Sequence, residues 1–88
     1  MEARAIVGWN LRLRRVERGL SQERLALAAG IDRAYVGRVE RASENVTITT
    51  LEALARALAV PVADLLIEPE PGAPPPPPLR AGRRPKST

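Results

Sequence analysis

Eight of the nine prolines in this 88-residue chain lie at or beyond Pro69, and Pro74 to Pro78 form an unbroken run. Proline has no amide hydrogen to donate and its ring blocks the helix ladder, so neither a helix nor an inner strand runs through such a stretch. The core is therefore expected within residues 1–68. Residues 69–88 are expected to form a semi-rigid polyproline II spacer followed by a disordered basic tail around Arg83, Arg84 and Lys86, with too little apolar surface to fold. A solubilising end is the simplest use of that tail, and a proline-recognising partner is the alternative. What is left in front of it is one small domain, which excludes a multidomain enzyme and a large buried active site.

Chemistry is narrowed further by what the domain lacks. With no Cys and no His, zinc sites built on those ligands, thiol chemistry, Ser-His nucleophiles and disulfides are all removed. No paired-carboxylate pocket, metal cluster or phosphate-cradling glycine loop stands out, so neither enzyme activity nor a cofactor nor a metal is expected. Charge is unevenly divided: residues 1–41 hold nine Arg against five acids for +4, residues 42–68 come to −3, and the remainder to +3. Such a polarised surface either meets phosphates on its positive side or is an ordinary solvated face. No apolar run approaches the ~20 residues that span a bilayer, and no basic-then-apolar leader opens the sequence. A cytoplasmic protein without a membrane association is the expectation.

The apolar residues of the first 68 positions recur at helical rather than alternating spacing, which predicts an all-α fold of five helices. The first runs from about Ala3 to Glu17 and stops at Gly19, with Val7, Leu11 and Arg15 on one stripe. An arginine on an apolar stripe requires a partner. Ser21 caps a second helix, Gln22 to Ala29, whose Leu25, Ala26 and Ala29 face inward. Gly30 breaks it, Ile31 plugs the turn, and Asp32 caps a third helix to about Arg41 held down by Val36 and Val39. Thr47 caps a fourth, with Ile48, Leu51, Leu54, Ala55 and Leu58 on its buried face. Pro61 opens a fifth helix carrying Val62, Leu65 and Leu66.

Small Ala26, Gly30 four residues on, then Val36 and Val39 follow the helix-turn-helix pattern, in which bulk at the first two positions would alter the crossing of the two helices. Over GLSQERLALAAGIDRAYVGRVERASENVTITTLEALARALAVPVADLL, with Gly8, Leu11, Arg12 and Arg15 upstream, the chain resembles the phage-repressor and Cro-like family, the xenobiotic-response-element type, with a compact five-helix lambda-repressor-like domain. Within it, Asp32 to Val36 and Val39 to Arg41 are most similar to controller proteins of restriction-modification systems.

The resemblance implies a sequence-specific transcriptional regulator that binds double-stranded DNA, with the helix at 32–41 in the major groove. It points to Arg33 and Arg38 for guanine edges, Ala34 for a thymine methyl, and Gly37 for close approach of the helix backbone. Gln22, Tyr35, Arg41, Ser43 and Asn45 fall where phosphate contacts are made. Packing is the alternative for Tyr35, and a local turn role for Asn45. Arg15 and Glu40 match an ion pair that recurs in the family. A twofold homodimer on a palindromic operator is implied, with Val62, Ala63, Leu66 and Ile67 as interface candidates and Leu65 in the monomer core. RNA polymerase is a further partner of such a regulator when it activates.

The chain departs from the family's pattern at Ala42, where Gly is common, at Val46 and Pro61, and at Glu44, where a basic residue is common. Glu44 is expected to repel a phosphate there. A rival reading keeps the same fold as an antitoxin-like or protein-interaction module, for which the proline-rich tail is the one candidate partner-wrapping segment.

Overall fold

The computed structural model describes residues 1–75; the basic cluster expected to end the tail lies outside them. Four α-helices, α1 (Ala3–Glu17), α2 (Gln22–Ala29), α3 (Arg33–Glu40) and α4 (Ile48–Leu58), are followed by a 3-10 helix, Val62–Leu66. Among the described residues there is no strand, and no helix is long and apolar enough to cross a membrane. The helix α1 packs on α3 and on the 3-10 helix, while α4 closes over α2 and the 3-10 helix. Leu11, Leu25, Val36, Leu54, Leu58 and Leu65 meet between them with no exposed surface. Each such side chain contributes about 1.5–3 kcal/mol on burial, which makes this cluster the main source of stability.

Side-chain caps start two of the four α-helices, α2 and α4, whereas the residue before α1, Glu2, caps with no side-chain bond. The Ser21 hydroxyl accepts from the Arg24 amide and the Thr47 hydroxyl from the Thr50 amide, both at 3.0 Å. Asp32 occupies the cap position of α3, but its carboxylate accepts no first-turn amide. Its backbone carbonyl serves instead, accepting from Tyr35 and Val36 at 3.0 and 3.3 Å. Ile48, expected on the buried face of α4, is 70% exposed: it sits in the first turn, before the helix meets the core at Leu51. The expected fifth α-helix is a 3-10 helix, because only five residues separate Pro61 from the extended Ile67, a span that favours the shorter i→i+3 bond.

All four α-helices end in the same way. A residue with left-handed backbone follows each, and the next amide reaches back to the last turn: Leu20 to Arg15, Ile31 to Ala26, Ser43 to Arg38 and Val60 to Ala55, at 2.9–3.0 Å. The left-handed residue is glycine after α1 and α2 but alanine after α3 and α4, where Ala42 has φ 62° and Ala59 φ 58°. A β-carbon there costs roughly 1–2 kcal/mol, and glycine's freer unfolded state offsets about 0.4–1 kcal/mol of what is recovered. Ala42→Gly and Ala59→Gly are each expected to stabilise the domain by about 0.5–1 kcal/mol, read as a rise in urea midpoint at unchanged slope. A fall in midpoint for both would contradict the backbone conformation described.

Candidate nucleic-acid interface

The helix α3 has two unlike faces. Val36 and Val39 are buried, and Arg33 and Ala34 stand exposed at its N-terminal end, with the Arg38 side chain 43% exposed one turn on. Tyr35 lies half-buried against the core. Its ring also supports Arg38, whose guanidinium carbon is 5.6 Å from the ring centroid, within range of a cation–π contact. The Nε of Arg38 donates to Glu44 Oε1 at 2.8 Å. That hydrogen bond is the main reason the Arg38 pKa is raised, against a smaller opposing effect of desolvation.

The other face of α3 is fastened by charge as well as by apolar packing. Arg15 Nε donates to Glu40 Oε2 at 2.6 Å and Nη2 to Oε1 at 3.1 Å, while Nη1 donates to the Leu20 carbonyl at 2.8 Å. One guanidinium thus joins α1, the turn after it and the end of α3. Gln22, expected at a phosphate, donates its Nε2 to Glu40 Oε1 at 3.1 Å and so braces the same carboxylate from α2. Gly37, expected to allow close approach of the helix backbone, lies where α3 meets neighbouring side chains. It is buried, and a β-carbon there would come within 3.3 Å of Arg41 Nη1 and 3.7 Å of Gln22 Oε1. The first is the far end of a flexible side chain and the second an ordinary contact distance.

Arg41, Ser43 and Asn45 are exposed where the chain leaves α3. The Ser43 hydroxyl donates to the Arg38 carbonyl at 3.1 Å and closes the end of the helix. Among the interface candidates, Val62 packs against the core, whereas Ala63, Leu66 and Ile67 are exposed. Leu65 is fully buried.

The roles of three residues emerge only in the structure. Glu44, expected only to repel, is the partner of Arg38. Gly8 lets α1 approach α3 so closely that a β-carbon would lie 2.6 Å from the Val39 carbonyl oxygen. Buried Asn10 donates its amide to the carbonyls of Ile6 at 2.9 Å and Ile67 at 2.7 Å, tying the segment after the 3-10 helix to α1. The one glycine and the one uncharged polar residue inside α1 were the available signals for the last two.

A helix-turn-helix family profile matches residues 11–65. A hypothetical transcription factor from Neisseria meningitidis is 44% identical over 69 residues, which cover 78% of this chain and 65% of that protein, just under two thirds of its length. The crystal structure of the Neisseria factor superposes with a TM-score of 0.76. Control protein C.SmaI of Serratia marcescens is 46% identical over 75% of this chain and 79% of its own. The restriction-modification controller protein C.AhdI from Aeromonas hydrophila superposes with a TM-score of 0.69 at 44% identity, over 70% of this chain and 94% of its own.

Proposed function

The chain belongs to the helix-turn-helix family of transcription regulators, and from that premise we propose that it binds a palindromic operator in double-stranded DNA as a homodimer, with α3 in the major groove. The observation that carries this reading is the contrast between the two faces of α3: Val36, Val39 and Glu40 are fixed from behind, while Arg33, Ala34 and Arg38 are presented outward. A helix held so firmly carries its outer side chains at a defined angle, which groove reading requires. Arg33 and Arg38 read base edges, and Tyr35, Arg41, Ser43, Asn45 and the amide of Gln22 line the phosphate side.

Residues 1–68 form the DNA-binding domain on this reading, with residues 69–88 as an appended tail. Half-exposed Leu66 and Ile67, beside exposed Ala63, supply the apolar surface for a twofold contact. Two copies of α3 would then stand about 34–36 Å apart, one helical turn of DNA. Likeness to C.SmaI and C.AhdI favours a controller-type regulator.

Sequencing duplexes selected from a random pool tests the assignment. Arg33→Ala and Arg38→Ala are each expected to lose preference at their own base pairs, by about 1–3 kcal/mol of discrimination if bidentate. Selection of the wild-type sites by both variants would remove α3 as the reader of sequence.

A further inference from the structure

An exposed arginine beside a duplex is drawn first to phosphate, which carries no sequence information. Arg38 is engaged within the chain instead. Its Nε is held by Glu44 at 2.8 Å and its guanidinium lies over the Tyr35 ring. We propose that Glu44 is a positioning residue for operator specificity, holding Arg38 toward a base edge and away from the phosphate backbone. This rests on the reading of α3 as the recognition helix.

The backbone explains how residues six apart meet. Ala42 turns the chain through its left-handed conformation, and the Ser43 amide and hydroxyl both donate to the Arg38 carbonyl, at 3.0 and 3.1 Å. Residue 44 is thereby folded back beside residue 38. Among the described residues only Nε of Arg38 donates to a protein acceptor, so both Nη groups remain as an end-on fork of the kind that matches guanine O6 and N7. Swinging that fork to a phosphate would break a charge-assisted bond and bring the phosphate toward the Glu44 carboxylate, which is 27% exposed. Non-specific affinity is lowered and base discrimination raised by one side chain.

The test uses the full chain as wild type, Glu44→Gln, Arg38→Ala and the double variant. Duplexes enriched from a random pool are sequenced, and binding to a fixed random-sequence duplex is followed against salt. Glu44→Gln and Arg38→Ala are expected to lose preference at the same base pairs, at least about fivefold. Glu44→Gln alone should bind the random duplex more tightly, with a salt slope steeper by about one as Arg38 reaches a phosphate. The double variant should lose no further preference and should shed the extra slope. Glu44→Gln that binds all duplexes more tightly but keeps wild-type preferences overturns the proposal, leaving plain repulsion. Unchanged preferences in Arg38→Ala overturn the base contact on which it depends, and a wild type that enriches no sequence overturns the functional reading itself.

Discussion

Glu40→Ala is expected to destabilise the domain by about 3–5 kcal/mol, read as a fall in urea midpoint with little change in slope. The Arg15 and Glu40 side chains are each only 6% exposed. Without the carboxylate, the Arg15 guanidinium would stay buried with the Leu20 carbonyl as its remaining acceptor, a position in which an unpaired charge is costly. A loss of that size removes much of the stability available to a small domain, which is of the order of 5–15 kcal/mol. Arg15→Met combined with Glu40→Leu is expected to recover most of it, because the desolvation of both charges disappears along with their attraction. The contribution of the pair is then orientation: the double variant should fold and yet show weaker sequence preference than wild type in the same duplex selection. A double variant as unstable as Glu40→Ala would mean that the site cannot be repacked with apolar groups.

Arg15 was legible in the sequence because a charge on an apolar stripe is an anomaly within a single helix, and Glu40 because it adjoins a residue of the core. Ser21, Thr47, Gly19 and Gly30 were legible because caps and left-handed stops act within a few residues. Ile48 shows where periodicity fails: the spacing assigns it to the apolar face of α4 but cannot say at which turn the helix enters the core. The 3-10 helix was read as α for a related reason, since apolar spacing does not choose between i→i+3 and i→i+4 bonds over five residues. Asn10 and Gly8 take their meaning from partners on other elements, Asn10 from a carbonyl 57 positions away. Glu44 faces Arg38 only because Ala42 adopts a left-handed turn, a conformation that alanine does not advertise. The four α-helices and most of their inner faces were therefore readable, along with the ion pair behind α3. The tuning of its outer face was not, since that depends on the path of the chain after the helix ends.

Gly8→Val is expected to cost about 3 kcal/mol, near the upper end of the usual range for overpacking. A glycine inside α1 weakens the isolated helix by roughly 1 kcal/mol relative to alanine, so its presence has to be offset by packing. The structure supplies the packing: an added β-carbon would lie 2.6 Å from the Val39 carbonyl oxygen and 2.9 Å from that of Glu40. Neither oxygen belongs to a side chain that could rotate away, and the Val39 carbonyl also accepts from the Ala42 amide at 3.0 Å in closing α3. Relief comes only if α1 lifts from α3, and Arg15, two turns farther along α1, then withdraws from Glu40. The losses in Gly8→Val and Glu40→Ala should therefore overlap, with the double variant at least about 1 kcal/mol more stable than the sum of the single effects allows. Gly8→Ala should be milder, since improved helix propensity offsets part of the clash. Strict additivity in this cycle would show that the ion pair survives displacement of α1, and the close backbone approach at Gly8 would then have no part in aiming α3.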